Sequence, residues 1–434
     1  MTSRRSFLAS GALAAGAALT GCSASGAGAP RAVARGPGRP SAETLIAAAN
    51  VPVLRAEMLP TSPLLIEEMT LLRNGGQWMV RVRASGVEGL AVVHGGILEQ
   101  AWPIFVNRFP HRFVGTDARD LEATMEAVYS EPSGTRGRGG SASNYKWQGL
   151  AFWSCMAAAE LAVLDLLGKA TGLNVTEMIG AGRIREEIAV YRASSARNNS
   201  AEDEVEKFVG FVEEMGAKAI KHKLGARMAV SEFSEARDAA IVPLMRETFP
   251  DLTLYADANG SFSVEQGIEV AARLADYGYG FFEEPAPFDH YDETLAIARE
   301  APLPISGGEQ EASLRQFLWM IEHGALDIVQ PDIMYFGGMT RAIRVANAAR
   351  LAGLDATPHI SGQGLGFLYA AVFASCVENA GPYHEYKGID DDLPVSASGG
   401  LLQARNGTIL VPNGPGFGAE IDPDWLARSQ TITA

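Results

Sequence analysis

Between Ala219 and Glu309, two lysines and three carboxylates arrive at the ends of apolar runs, in AIKHKLG, LTLYADANG, YGFFEEP and PISGGEQ. Each run is short, rich in β-favouring residues and closed by Gly or Pro, the pattern of a buried parallel strand whose last residues spill into a loop. Asp257, Glu283 and Glu309 therefore stand at strand ends, and their positions are spaced by 26. Eight strand-helix units in a barrel of about 250 residues give roughly 30 residues per unit, so three consecutive units bring these acids to one mouth. One acid at a strand end would serve as a helix cap or a solvated loop charge. Three at equal spacing form a set of hard oxygen ligands, and such a set suits Mg²⁺, which keeps its remaining positions for water and substrate oxygens.

Lys221 and Lys223 flank His222. Residues two apart on a strand share a face, so both ammonium groups point into the barrel and His222 points to the outer helices. Two cations side by side are expected to depress each other's pKa, which turns a lysine into a usable base near neutral pH. A solvated KxK on an edge strand is the alternative, and the apolar flank from Ala217 to Ile220 with the closing Gly225 favours the buried one.

The elements that must hold these residues can be counted. Candidate strands begin near 189, 219, 252, 278, 304, 325, 354 and 382, with apolar-periodic stretches such as VEQGIEVAARLADYG between them, which is the count of a (β/α)₈ barrel. Ahead of it, Leu64 to Val93 alternates as short strands with a turn at Arg73 to Gly76, and a helical region follows from about Leu98 to Leu167, interrupted by the Gly/Ser/Arg-rich stretch 133–143. Strands first and helices after indicate a separate α+β domain. The predicted organisation is an α/β chain: a capping domain over 48–184, a barrel over 185–395, and a tail over 396–434 that returns to the cap.

The formal charge of −15, with basic residues scattered and no aromatic-basic patch, argues against nucleic acid as a partner. At the N-terminus Arg4 and Arg5 precede an uncharged stretch from Phe7 to Leu19, too short to span a bilayer, and Leu19-Thr20-Gly21-Cys22 follows. Residues 1–22 resemble a twin-arginine export signal ending in a lipobox, with Cys22 as the lipidated residue. That predicts a periplasmic or cell-surface lipoprotein touching the membrane only through its anchor. Residues 23–47 are expected to be a flexible tether. Cys155 and Cys376 lie in apolar segments and are expected to be buried free thiols, though an oxidising compartment would permit a disulfide.

From about Val53 to Ala427 the chain resembles the enolase superfamily and, within it, the mandelate racemase group. Lys221-His222-Lys223 is similar to that family's KxK, Asp257-Ala258-Asn259 to its first metal ligand, Glu283-Glu284-Pro285 to its second and Gly308-Glu309 to its third. Asp332 in VQPDI and His359 in TPHISG resemble the group's Asp-His dyad, and Glu385 in YHEYK its acid on the last strand. The resemblance implies a modified TIM barrel under an α+β cap, Mg²⁺ as cofactor, and a small carboxylate as substrate. RNGGQW, GLAVVHGG and the Gly/Arg-rich insertion match no pattern of a characterised member. A homo-oligomer is the expected assembly.

The chemistry can be stated from the residues. A proton next to a carboxylate is too weakly acidic for Lys or His to remove unaided, and Mg²⁺ on that carboxylate stabilises the developing enediolate charge. Lys223 can then take the proton while Lys221 neutralises a carboxylate oxygen. His359, oriented and made more basic by Asp332, stands across the barrel for a second transfer. Asn259 and Glu385 can bind substrate or serve as structural hydrogen-bond partners. Two reactions share this machinery: dehydration of an acid sugar to a 2-keto-3-deoxy acid, and racemisation or epimerisation of a 2-hydroxy acid. A non-catalytic sugar-acid-binding lipoprotein would need neither Lys223 nor the Asp332-His359 pair.

Overall fold

A computed structural model describes residues 38–130, 149–228, 233–361, 365–388, 395–397 and 402–433. The export signal, Cys22 and the Gly/Arg-rich insertion lie outside the described residues.

The first sheet is antiparallel. Strands β1 (Glu68–Asn74), β2 (Gln77–Ala84) and β3 (Val87–Val93) pair in sequence, and Gly75, with φ of 59°, supplies the left-handed turn between the first two. Helix Leu150–Thr171 packs on β2 and β3. By length and composition it could cross a membrane, yet its residues from Phe152 to Gly168 are all buried in this core.

The second sheet is the barrel. Eight parallel strands run from β4 (Glu187–Ala193) through β5 (Ala219–Lys223), β6 (Thr253–Asp257), β7 (Phe281–Glu283), β8 (Ile305–Gly307), β9 (Ile328–Val329) and β10 (Asp355–Ala356) to β11 (His384–Tyr386), which pairs back onto β4. Ala356 bridges Ala380, just ahead of β11, and closes the ring. The β period of two sorts the side chains into layers. Tyr191, Ala219, Tyr255 and Phe281 form an apolar floor, with Tyr255 and Phe281 stacked at 3.8 Å between centroids. Two residues further along β5, β6 and β7, the inward positions become Lys221, Asp257 and Glu283. The outward set, with His222 hydrogen-bonded to Tyr279 at 2.8 Å, packs on the helices. The capping boxes and N-caps of those helices, such as Ser263 with Gln266 ahead of Val264–Asp276, set where each strand-to-helix loop ends.

One expectation needs correction. The tether does not extend to residue 47: Ser41 caps a helix, Ala42–Ala49, whose Leu45 and Ala49, one turn apart, are buried against the barrel helices Leu314–His323 and Met339–Leu351. The tail meets the barrel on its way to the cap. β12 (Val395–Ala397) pairs with β14 (Ala419–Ile421), β13 (Thr408–Leu410) joins the barrel strand β4, and β15 (Gln430–Ile432) alone completes the cap sheet beside β1. Cys155 and Cys376 are both free and buried, and burial pushes both thiols up to about 12.

Candidate active site

Strand register builds the site. Lys223 pairs with Asp257 and Asp257 with Glu283 across β5, β6 and β7, so the three share one rung at the C-terminal ends of the strands. Glu309 follows β8 past Gly308, whose φ of 105° turns the chain inward there. One carboxylate oxygen each from Asp257, Glu283 and Glu309 lies within 4.8 Å of the others, and all three side chains are buried. Lys221 Nζ is 2.6 Å from Glu283 Oε2, 3.6 Å from Glu385 Oε1 and 3.7 Å from Asp257 Oδ2. Lys223 Nζ donates to Asp257 Oδ2 and to Asn259 Oδ1, the latter at 2.9 Å.

The dyad closes the opposite side. His359 Nδ1 is 2.6 Å from Asp332 Oδ2, while Asp332 Oδ1 accepts from the N–H groups of Met334 and Tyr335 and from Ser361 Oγ. These bonds fix the imidazole and turn Nε2 to the acids, 3.3 Å from Glu309 Oε2 and 3.8 Å from Glu385 Oε2.

Charge crowding dominates the electrostatics. Burial and the neighbouring Asp257 push Glu283 up to about 7 even though Lys221 pulls the other way. Burial opposes ionisation of Asp257 too, but Lys223, Lys221 and Arg197 outweigh it and hold its carboxyl below the usual range. Glu309 is likewise held low, with burial overcome by His359 and the two lysines. On His359 burial is overcome by Glu309, Glu385 and the bond to Asp332, which raise it. The expected mutual depression of the two lysines does not hold for Lys221. Burial does disfavour its charge, but Glu283, Glu385, Tyr191 and Asp257 prevail and raise it. The reason is distance: an acid sits 2.6 Å from its ammonium.

The donor set fits a divalent cation. The three acids crowd together with Glu283 Oε1 lacking any hydrogen-bond partner, and Glu284 beside them is raised well above the carboxylate range, by burial first and then by Glu309, Asp257 and Glu283. All-oxygen donors of this kind match Mg²⁺.

Several residues enter that the sequence reading did not single out. Arg197 Nη2 donates to Asn259 Oδ1 at 2.7 Å, and Gln330 Nε2 to Glu283 Oε2 at 2.9 Å. Lys387 Nζ lies 3.4 Å from His359 Nε2. From the cap, the His94 ring meets Tyr335 edge-on at 5.3 Å, and Tyr335 lies 6.3 Å from His359. Gln330 and Lys387 were findable, since each stands just past a strand end, two residues from a named acid. Asn259 is held at φ 43° with both side-chain atoms engaged: Oδ1 takes Lys223 and Arg197, and Nδ2 reaches Glu309 Oε1 and Glu284 Oε2 at 3.3 and 3.4 Å.

The chain is similar in sequence and fold to known proteins. Residues 203–425 match the family described as Enolase C-terminal domain-like. A D-galactarolactone cycloisomerase of Agrobacterium fabrum is 28% identical over 330 residues, covering 73% of this chain and 81% of that protein. An arabinonate dehydratase of Saccharolobus solfataricus is 27% identical over 269 residues, covering 61% and 69%. The crystal structure of a mandelate racemase/muconate lactonizing protein from Paracoccus denitrificans Pd1222 superposes with a TM-score of 0.74 at 23% identity, covering 86% of this chain and 99% of that one. With just over half of its length matched by the family and a capped, modified (β/α)₈ barrel of the same architecture, the chain belongs to the enolase superfamily.

Proposed function

We propose that this enzyme dehydrates an acid sugar, an aldonate or aldarate, to a 2-keto-3-deoxy acid. The observation that carries the reading is the arrangement of Lys223 and the Asp332-His359 pair on opposite flanks of one buried carboxylate triad. Asp257, Glu283 and Glu309 would hold Mg²⁺, which when bound supplies Lewis-acid stabilisation of the charge that develops on the substrate carboxylate. Lys221 donates to a carboxylate oxygen of the substrate. Lys223 Nζ takes the α-proton, and the electron pair left behind expels the 3-hydroxyl as His359 Nε2 donates a proton to it, releasing water. The enol product then tautomerises to the keto acid. Asn259 acts as a strut here, because its side chain is already committed to Lys223, Arg197 and the acids. Glu385 faces both Lys221 and His359 and orients the substrate between them.

Relatives named as acid-sugar dehydratases support the lyase reading. Racemisation or epimerisation by the same Lys/His pair is the second reading, because His359 could return a proton to the opposite face of the same intermediate. A screen of aldonic and aldaric acids with Mg²⁺ decides between them: dehydration gives a 2-keto product, racemisation gives α-proton exchange and no such product. We also infer export and tethering through Arg4, Arg5 and Cys22. Replacing both arginines by Lys should trap the protein in the cytoplasm, Cys22→Ala should free it from the membrane, and wild-type protein recovered in the cytoplasm with an intact N-terminus would refute the idea.

A further inference from the structure

The last barrel strand carries a cation that this reaction leaves idle. Glu385 lies on β11 and Lys387 one residue past its end, and the contacts of both with His359 place them on the same side. Lys387 Nζ donates to Ile360 O at 2.6 Å, which pins the ammonium 3.4 Å from His359 Nε2. Among the described residues its nearest carboxylate oxygen, Glu385 Oε1, is 3.7 Å away and is shared with Lys221 at 3.6 Å. An ammonium has three hydrogens to donate. In Lys387 one serves the Ile360 carbonyl, His359 Nε2 and Glu385 Oε1 stand at 3.4 and 3.7 Å, and the side chain remains 30% exposed.

Two guanidiniums lie on loops that follow other barrel strands. Arg197, on the loop after β4, is bound to Asn259 beside the triad. Arg227, on the loop after β5, is exposed and acts electrostatically on both Arg197 and Tyr335. A substrate with one carboxylate places that group at the triad and Lys221, so a monoacid brings no anion to Lys387.

We propose that Lys387 binds a second carboxylate of the substrate, so that the enzyme prefers aldarates over aldonates of the same configuration. This rests on the acid-sugar reading above and narrows it. Galactarate and galactonate differ only in whether the far carbon is a carboxylate or a hydroxymethyl group, as do glucarate and gluconate. Binding of each pair to the Mg²⁺-loaded enzyme by calorimetry, with turnover followed as 2-keto product, gives a diacid-to-monoacid ratio. The wild-type ratio is expected to be about tenfold or more, the effect of one charge-assisted hydrogen bond. In Lys387→Met it should collapse toward one as the KM of the diacid rises more than that of the monoacid, and Lys387→Arg should restore most of it and show that the fold survives. A ratio that persists in Lys387→Met, a wild-type preference for the monoacid, or an equal loss on both acids would overturn the assignment and leave the dehydratase reading standing. Failure of all four acids to bind would overturn both.

Discussion

A single buried carboxylate at the seam between cap and barrel and a buried cluster at the barrel mouth are built on opposite principles. At the seam, Glu160 from helix Leu150–Thr171 is fully buried and alone. Its two oxygens accept from the N–H groups of Met339 and Thr340, at 3.1 and 2.8 Å, at the start of helix Met339–Leu351. A Cβ on Gly338, where φ is 101°, would stand 2.4 Å from Glu160 Oε2, so only glycine lets the acid reach that helix end. Every acceptor there has a backbone donor, and the helix dipole favours the charge. At the mouth, three acids share one pocket with fewer donors than they need, and one Glu283 oxygen has none. Burial is the largest cause that raises the carboxyl pKa in both places, to about 7 for Glu160 and, with Asp257 adding to it, to about 7 for Glu283. The difference lies in the neighbours: a satisfied single acid fastens two domains, whereas crowded acids with an unpartnered oxygen suit a cation.

The largest effect should follow from breaking the crowded set. Asp257→Asn or Glu283→Gln should lower turnover by about a thousandfold or more, the scale expected when charge stabilisation at a reacting centre is lost. The metal-free variant should melt no lower than wild type, because like-charge repulsion is relieved. Unchanged turnover in either variant would remove that residue from the ligand set.

Next come the two flanks, each expected to cost about 10²- to 10⁴-fold. For a substrate whose α-proton faces Lys223, His359→Asn should keep solvent-deuterium exchange and lose dehydration, while Lys223→Ala should lose both. Near wild-type turnover in both variants would sink the division of labour.

The seam should respond in stability rather than rate. The folded pKa of Glu160 is raised above its ordinary value of 4.5 to about 7, so the unfolded state ionises first as pH rises. Its contribution is therefore fully present below about pH 4.5 and lost on passing through pH 7. The loss amounts to about 3 kcal/mol between pH 4.5 and 8. Denaturant melts of Glu160→Gln should show a flatter pH profile than wild type over that window, and parallel profiles would mean that Glu160 is ionised throughout.

The smallest effect is expected at Asp165, which accepts from Leu90 N–H and Phe417 N–H at 2.9 and 3.0 Å and so ties the tail to the cap. Asp165→Asn should cost about 1–3 kcal/mol in a denaturant melt, and no change in stability would show the tie to be dispensable.

The mouth was legible in the sequence because its signals are local. Each ligand closes an apolar run, the spacing of 26 repeats a strand-helix unit, and the period of two places Lys221 with Lys223. The dyad and Glu385 came through family resemblance, not from spacing. What stayed hidden depends on contacts far apart in the chain. Arg197 reaches Asn259 across 62 positions, and β13 pairs with β4 across more than two hundred residues with no register signal in either segment. The helix Ala42–Ala49 was legible and missed: Ser41 ahead of Glu43, with Leu45 and Ala49 one turn apart, is a capped amphipathic start that the surrounding Ala/Gly/Pro-rich composition disguised.

Calorimetric titration of the metal-free protein with Mg²⁺ tests the contrast most directly. The account predicts one Mg²⁺ per chain, with proton release at pH 6, where Glu283 is still largely protonated, fading by pH 8.5 where it is already ionised. The binding should vanish in Glu283→Gln and persist in Glu160→Gln. Absence of binding heat in wild type, or equal binding by wild type and Glu283→Gln, would contradict the assignment of these three acids as the metal site.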